Sequence, residues 1–269
     1  MTSELQYPLV LLHGAGADCS RLSWKHVAPG LAQQLQVLAP DLPGHGGTPA
    51  LPEPTTDAYL DWLCGWMSSQ AVGRAAFAGL SLGGALALGY ALRYPDRVDR
   101  LALVASYGFS PRVPYHRLLR LLLRTPLRRL VASPALRRGR GLRWGLRFLV
   151  GDPRAVDDEL LEDARAALRG TAPGLFWRWL STELLPGRTR TCYLDRLGQV
   201  RCPVLLVHGD RDRLVPVAHA EEAARRIPHA ELVVLRGCGH WPPRERPAEV
   251  LAALQAFLAK KIFSRFPLR

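Results

Sequence analysis

Residues suited to nucleophilic chemistry occur at one corner of the sequence. In GRAAFAGLSLGGALALGYALRYP, residues 73–95, small apolar residues precede Ser81, and Ala, Leu and Gly recur at helical spacing after it. Ser81 therefore lies at a strand-to-helix corner, with Gly79 and Gly83 completing a G-x-S-x-G arrangement. Such a corner strains the backbone of its central residue, and neighbours without a Cβ relieve the crowding. The pattern predicts a hydroxyl raised above a sheet, facing the free N–H groups of a helix N-terminus.

A serine hydroxyl becomes nucleophilic when a base removes its proton, and an acid must orient that base. Candidates follow two other predicted strands: Asp210 and Asp212 in VLLVHGDRDRLVP, and His240 in ELVVLRGCGHWP. The carboxyl ends of parallel strands open on one edge of a sheet, so these side chains are expected to meet Ser81. We predict His240 as the base and Asp212 as the acid, because Asp210 directly follows a glycine and suits a turn.

Acyl-transfer chemistry also needs donors for a negatively charged oxygen. The glycine-rich segment HGAG, residues 13–16, follows the first predicted strand. We therefore expect the backbone N–H of Ala15 to point inward. The N–H of Leu82, directly after the serine, is its expected partner. Each such donor lowers the barrier by roughly 3 kcal/mol in a dry site. An ordinary strand-to-helix turn is the alternative interpretation of HGAG.

The elements that would position these residues alternate along most of the chain. Short apolar segments alternate with longer helical patterns, which is typical of a parallel sheet, and the absence of polar alternation indicates strands covered on both faces. The predicted strands are Tyr7–Leu12, Leu35–Ala39, Ala75–Leu80, Leu101–Ala105, Val204–Val207 and Glu231–Leu235. The predicted helices are Trp24–Leu35, Thr55–Gln70, Leu82–Tyr94, Ala218–Arg226 and Pro247–Lys260. We therefore predict an α/β fold with a mostly parallel sheet and helices on both faces.

The alternation breaks once. Residues 107–198 carry helical patterns interrupted by prolines, and the interval is far longer than a crossover between strands requires. We interpret it as an inserted, all-helical subdomain. The chain then divides into a first core part, residues 1–106, the insertion, residues 107–198, and a second core part, residues 199–269.

The composition is that of a globular protein, with 48% hydrophobic residues. The N-terminus lacks a basic leader, and no stretch approaches the roughly 18 apolar residues of a membrane span. Five scattered cysteines lack the C-x-x-C spacing of a metal site. We expect reduced thiols, a cytoplasmic location and no bound metal.

The net charge of +13 is concentrated in the insertion, which holds 18 Arg and 8 acidic residues. Such basicity favours anionic partners, although the near-absence of Lys (three in the chain) equally indicates a coding bias. The segment YHRLLRLLLRTPLRRLVASPALRRGRGLRWGLRFL leaves three roles open: contact with a membrane surface, an arginine that holds a substrate carboxylate, or a solvated outer surface. The aromatic residues of the insertion suit its core or a pocket wall, and nothing resembles a nucleic-acid-binding module. These residues are Trp144, Phe148, Phe176, Trp177 and Trp179.

Together these segments resemble the α/β-hydrolase superfamily over almost the whole chain. The matching pieces are HGAG at 13–16, DLPGHGGT at 41–48, GLSLGG at 79–84, RYPDRVDRLALVAS at 93–106, GDRDRLVP at 209–216 and GCGHW at 237–241. The resemblance implies a nucleophile at Ser81, an acid at Asp212, a base at His240, and oxyanion donors at Ala15 and Leu82. It further implies that the insertion is a helical lid and that no cofactor is required. We expect the substrate pocket to be bordered by Gly14, Trp241, Trp144, Phe148 and Trp177.

A small-molecule ester, lactone or thioester is the default substrate of this machinery. Hydrolases of carbon–carbon bonds in ring-cleavage products are an alternative: they often carry Trp after the catalytic His, as Trp241 does, but typically Asn where Leu80 stands. A menaquinone-pathway synthase is similar in DLPGHGG, yet it carries Arg where Ala85 stands. A protein that binds a small ligand without catalysis is the remaining alternative, against which the three complementary groups argue. The sequence does not indicate an oligomeric state.

Overall fold

Six parallel strands form the central sheet of the computed structural model, which describes residues 7–126 and 139–260. These strands are β1 Leu9–Leu12, β2 Val37–Leu38, β3 Ala75–Leu80, β4 Val98–Val104, β7 Val204–Gly209 and β8 Ala230–Leu235. Their order across the sheet is β2-β1-β3-β4-β7-β8. Every pairing in the sheet is parallel, so the strands end at one common edge.

Helices cover both faces of the sheet. They are α1 Ser20–Ser23, α2 Ala28–Ala32, α3 Thr56–Ser69, α4 Leu82–Arg93, α5 His116–Arg124, α6 Gly139–Leu149, α7 Asp158–Arg169, α8 Leu175–Glu183, α9 Val217–Arg226, α10 Pro242–Glu245 and α11 Pro247–Leu258. Successive side chains of a strand point to opposite faces of the sheet. Phe77 of β3 therefore packs in the hydrophobic cluster that includes α3 and α4. Its neighbour Ala76 packs on the other face, in the cluster that includes α2, α7 and α11. In the described ranges, no helix combines the length and apolarity that crossing a bilayer would require.

Several predicted elements of the core differ from the structure, among them β2, which spans Val37–Leu38 rather than Leu35–Ala39. The helix predicted over Trp24–Leu35 is wrong, because the chain forms the short helices α1 and α2 with a turn between them. β4 begins at Val98 rather than Leu101. The charged pair Asp99 and Arg100 conceals that strand in the sequence, yet both are buried, with the Arg100 guanidinium donating to Asp99 and to the carbonyl of Leu258.

The insertion is not entirely helical, which corrects the prediction. Besides α5 to α8 it contains an antiparallel hairpin of β5, Leu184–Leu185, and β6, Arg188–Thr189. Pro186 and Gly187 form its turn, and the φ of +75° at Gly187 is a conformation that glycine adopts without strain. Residues 127–138, in the middle of the segment for which a membrane-facing role was considered, lie outside the described residues.

The corner between β3 and α4 carries the strain that its glycine spacing predicts. Ser81 has φ 52° and ψ −112°, a conformation that L-residues rarely adopt. A Cβ on Gly79 would lie 2.3 Å from the carbonyl oxygen of Gly83, and a Cβ on Gly83 would lie 2.4 Å from that of Leu12. Glycine at both positions therefore lets α4 start in direct contact with β1 and β3, which holds the Ser81 side chain above the sheet.

We expect Gly83→Ala to lower the free energy of unfolding by about 2–3 kcal/mol, the usual penalty of overpacking. The new methyl group would meet the backbone of β1, which cannot rotate aside. Gly65→Ala on α3 is the matched control, because its Cβ would meet nothing within 4 Å. It should stabilise by up to about 1 kcal/mol through helix propensity. Urea unfolding measures both, and a Gly83→Ala midpoint equal to wild type would contradict the close packing described.

Candidate active site

The three residues predicted to act together lie within hydrogen-bond distance of one another. His240 Nε2 lies 2.9 Å from the Oγ of Ser81, and His240 Nδ1 lies 2.7 Å from Oδ2 of Asp212. Because the carboxylate accepts the Nδ1 proton, Nε2 is free to accept a proton from the serine hydroxyl. The three residues follow β3, β7 and β8, so the common edge of the parallel strands brings them together.

Asp212 is held as a buried carboxylate. Its Oδ1 accepts hydrogen bonds from the backbone N–H groups of Leu214 and Val215, each at 2.8 Å. Burial alone would raise the pKa of Asp212, but the nearby His240 and hydrogen bonds from His208 and His240 outweigh it and hold the pKa well below its usual range. Asp210 lies apart from His240 and accepts from the N–H of Gly237 at 2.7 Å, as expected for a turn residue.

His208 supports the carboxylate, a role that the sequence analysis did not assign. Its Nε2 lies 3.2 Å from Oδ2 of Asp212 and 2.8 Å from the carbonyl oxygen of Val215. Both partners are acceptors, so this nitrogen must carry the proton and donate to them. The only signal in the sequence was the position of His208 at the end of its strand, four residues before the acid.

The loop that carries His240 is fixed by a buried glutamate. Carboxylate oxygens of Glu245 accept from the N–H groups of Gly239 and Trp241, and also from Gly151 in the insertion. Burial raises the pKa of Glu245, against the opposing effect of these three donors. The N–H of His240 itself donates to the carbonyl oxygen of Leu149 at 2.7 Å. The insertion is therefore bonded directly to the histidine loop. Sequence reasoning missed Glu245, which follows a Pro-Pro-Arg run with no recognisable motif.

The loop after β1 lies beside Ser81. Leu42 N–H donates to Nε2 of His13, so Nδ1 carries the proton and donates to the carbonyl oxygen of Gly14 at 2.8 Å. Ala15, the next residue, lines the cavity above the serine. Leu82 is the first residue of α4, and the backbone N–H groups in the first turn of a helix have no acceptor within that helix. The N–H groups of Ala15 and Leu82 remain the predicted oxyanion donors: Ala15 lines the cavity, and Leu82 directly follows Ser81 at the start of α4.

A hydrogen-bonded chain joins this loop to the residue after the histidine. The indole N–H of Trp241 donates to Oγ of Ser23 at 2.9 Å, and the Ser23 hydroxyl donates to Asp18 at 2.7 Å. Asp18 in turn accepts from the N–H of Gly14 at 2.8 Å. Burial raises the pKa of Asp18 to about 6, although hydrogen bonds from Ser23, Gly14 and Cys19 oppose the shift. Asp18 therefore positions the loop that precedes Ala15.

An apolar cavity of about 640 Å³ opens above Ser81 and His240. Its wall comes mainly from the insertion and includes Leu118 and Leu119 of α5, Leu146 and Leu149 of α6, and Phe176 and Leu180 of α8. The volume lies within the range of small-molecule sites, roughly 300–1,000 Å³. Three predicted pocket residues, Gly14, Phe148 and Trp241, do line it.

Trp144 and Trp177 do not line this cavity, which corrects two predictions. Leu142 and Leu146 form the buried face of α6, and Trp144 lies between them on the outer face with 74% of its surface exposed. Trp177 lies one position beyond the wall residue Phe176, and its ring contacts that of Phe176 at 5.4 Å from outside the cavity. Both residues point away because neighbouring positions of a helix face different directions.

The pocket arginine that was left open is also not found in the described part of the chain. Among residues 7–126 and 139–260, the cavity wall contains neither Arg nor Lys.

Comparison with known proteins decides the family. A family model described as alpha/beta hydrolase fold matches residues 7–247. The chain belongs to the α/β-hydrolase family.

Relatives of this α/β hydrolase include hydrolases with different substrates. It is 35% identical to the pimeloyl-[acyl-carrier protein] methyl ester esterase of Aromatoleum aromaticum, across 92% of this chain and 96% of that protein. It is 28% identical to the 2-hydroxymuconate semialdehyde hydrolase of Pseudomonas sp. (strain CF600), across 94% and 87%. A solved thermophilic esterase from Thermogutta terrifontis superposes with a TM-score of 0.75 at 26% identity, covering 97% of this chain and 93% of that one.

Asp18→Asn is expected to change the pH dependence of stability. The carboxyl has a pKa of about 6 in the folded protein and 3.8 ordinarily, so the folded state holds the proton more tightly. Its contribution to stability is present below about pH 4 and is lost as the pH rises through 6, a loss of about 3 kcal/mol. Asparagine does not titrate. The unfolding free energy of the variant, relative to wild type, should therefore rise by that amount between about pH 4 and pH 7.

Urea unfolding at intervals across this range measures the difference. Parallel pH curves for the variant and wild type would mean that the pKa of Asp18 is the same in the folded and unfolded protein, and that result would contradict the raised pKa.

Proposed function

We propose that this α/β hydrolase cleaves carboxylic esters, lactones or thioesters that carry a small to medium hydrophobic acyl group. The observation that carries the proposal is the hydrogen-bonded series Ser81, His240 and Asp212 at the floor of an apolar cavity. Such a series activates a hydroxyl for attack on a carbonyl carbon.

In the proposed reaction, Oγ of Ser81 attacks the carbonyl carbon while Nε2 of His240 takes the hydroxyl proton. The N–H groups of Ala15 and Leu82 stabilise the oxyanion that forms. His240 then returns the proton to the leaving alkoxide, which departs and leaves an acyl group on Ser81. Water, deprotonated by His240, releases the acid. Asp212 stays ionised throughout and stabilises the imidazolium, for which its lowered pKa suits it.

The cavity wall favours a neutral acyl group. Within the described residues, Asp18 is the only carboxyl group on the wall, and backbone N–H groups and Ser23 already occupy its oxygens. Burying a charged substrate against apolar side chains without a counter-ion is costly. The relationship to a methyl ester esterase supports the same substrate class.

Hydrolysis of a carbon–carbon bond in a ring-cleavage product is the second candidate. Trp241 directly follows His240 and lines the cavity, and a 2-hydroxymuconate semialdehyde hydrolase is among the relatives. Against this candidate, dienoate substrates carry a carboxylate, for which the described wall offers no cation.

We further propose that residues 107–198 act as a lid, because they supply most of the cavity wall.

We place the reaction in the cytoplasm, which the five free cysteines support.

A fluorophosphonate probe should label wild type and fail to label Ser81→Ala. The same substitution should lower the turnover of short p-nitrophenyl esters by roughly 10⁶-fold, because it removes the attacking atom. Mass spectrometry locates the label, and absorbance measures turnover. Ser181→Ala, which removes an exposed hydroxyl of α8, is the control and should label and turn over like wild type.

Labelling of another residue, or a loss under tenfold, would contradict Ser81 as the nucleophile. Turnover of a dienoate ring-cleavage product at a higher kcat/KM than any ester in a chain-length series would favour the second candidate. An unlabelled wild type would indicate a binding protein without catalysis.

A further inference from the structure

Large apolar side chains are exposed together on two helices of the insertion. Tyr115, at the start of α5, is 55% exposed, Leu118 and Leu121 of α5 are 62% and 61% exposed, and Trp144 of α6 is 74% exposed. Among the described residues, the next most exposed large hydrophobic side chain is Val234 of β8, at 40%. Exposed apolar side chains that are concentrated in this way mark an interaction surface.

These exposed leucines are not required to hold α5 in place. The inner face of the helix does that: Leu119 and Leu123 pack against the core, and the side chains of His116 and Arg120 hydrogen-bond to carbonyl oxygens of β5. A helix that is anchored on one side and strongly apolar on the other has a face without a partner in the described chain.

Exposed arginines flank the apolar side chains along both helices. Arg117 and Arg124 are exposed on α5, and Arg140 and Arg147 are exposed on α6, where they bracket Trp144 at helical spacing. Within the described ranges, no carboxylate oxygen lies within 4.0 Å of these four guanidinium groups. The sequence from 107 to 151 contains eleven Arg and no Asp or Glu, so no acidic residue of these segments themselves neutralises them.

This surface is continuous with the mouth of the cavity. Tyr115 and Leu118 are exposed and also line the cavity wall. The ring of Tyr115 lies 6.3 Å from that of Phe148, a wall residue at the end of α6. The Arg213 guanidinium lies 6.0 Å from the same Phe148 ring. The start of α5 and the end of α6 therefore lie close together beside the cavity.

We propose that the outer faces of α5 and α6 dock on an anionic lipid bilayer. This docking surface consists of the four apolar residues Tyr115, Leu118, Leu121 and Trp144 and the four arginines Arg117, Arg124, Arg140 and Arg147. A basic amphipathic face binds in the plane of a bilayer, with apolar side chains among the acyl chains and arginines at anionic headgroups. Tryptophan and tyrosine prefer the same boundary. A face that combines arginines with large apolar side chains matches both layers of an anionic bilayer, the headgroups and the acyl chains.

Docking in this orientation would bring the cavity mouth against the bilayer. An apolar ester dissolved in the lipid then reaches Ser81 without crossing water. This part of the inference rests on the proposed function, whereas docking itself does not.

Vesicle flotation with the full-length Ser81→Ala protein tests docking independently of hydrolysis. Vesicles of phosphatidylcholine alone are compared with vesicles containing roughly one-third phosphatidylglycerol, at low and high salt. We expect the protein to float with the anionic vesicles, at least about tenfold more than with neutral ones, and to be released by salt. Equal flotation with both vesicle types, or no flotation with either, would overturn the proposal.

Two sets of substitutions separate the apolar and charged contributions. Replacing Arg117, Arg124, Arg140 and Arg147 with Gln should weaken binding by about fivefold for each arginine. Leu121→Ser with Trp144→Ser should weaken it by at least about tenfold. The matched control replaces four arginines on α7 and α9 with Gln, and should bind within about threefold of wild type if docking is local. The control substitutions are Arg165→Gln, Arg169→Gln, Arg225→Gln and Arg226→Gln.

Turnover of a water-soluble ester, measured in the same variants with Ser81 restored, should stay at the wild-type level because none of the substituted residues lines the cavity. Loss of flotation in the control to the same extent would contradict a local docking surface. Wild type that floats but turns over no ester would leave docking supported and contradict the proposed function.

Discussion

The 2.9 Å contact between His240 Nε2 and Ser81 Oγ joins residues that lie 159 positions apart, and the rest of the site depends on it. On one side, the strained backbone conformation of Ser81 fixes the position of its Oγ. That conformation is maintained because glycines let α4 approach the backbone of β1 and β3. On the other side, parallel strands β7 and β8 end at the same edge of the sheet as β3. Neither condition is sufficient alone, because a small displacement of either strand end would separate the base from the hydroxyl.

Packing of the insertion contributes to the same contact. The His240 loop passes so close to the insertion that a Cβ on Gly239 would lie 2.4 Å from the N of Gly151 and 2.4 Å from the carbonyl oxygen of Leu149. Glu245 bonds both segments at once. Leu149 and Gly151 are thus part of the scaffold that orients the imidazole, and Leu149 also lines the cavity. A change in the insertion that shifts Leu149 or Gly151 would therefore shift His240 through the direct hydrogen bonds between the insertion and the histidine loop.

Local signals explain what could be predicted from the sequence and what could not. The strand-to-helix serine, the polar residues after strands and the glycine-rich loop are each recognisable within a few residues, so the fold and the convergence of Ser81, Asp212 and His240 could be predicted. The hairpin β5–β6 and the exposure of Trp144 could not, because the direction of a side chain on an inserted helix depends on what the helix packs against. His208 and Glu245 were missed for a related reason. Their importance lies in hydrogen bonds that form only in the folded chain, such as the one between Glu245 and Gly151, and no recognisable motif reports them.

Comparison of Asp212→Asn with Asp210→Asn tests most directly whether this convergence performs catalysis. An amide at position 212 would turn a donor toward His240 Nδ1 and impose the wrong tautomer, which should lower kcat for a p-nitrophenyl ester by about 10⁴-fold. The amide oxygen can still accept from the N–H groups of Leu214 and Val215, so the fold should survive, as circular dichroism would verify. Asp210→Asn keeps an acceptor for Gly237 and should retain kcat within about threefold, as a surface turn residue does. Equal losses in the two variants, or a larger loss at position 210, would contradict the account.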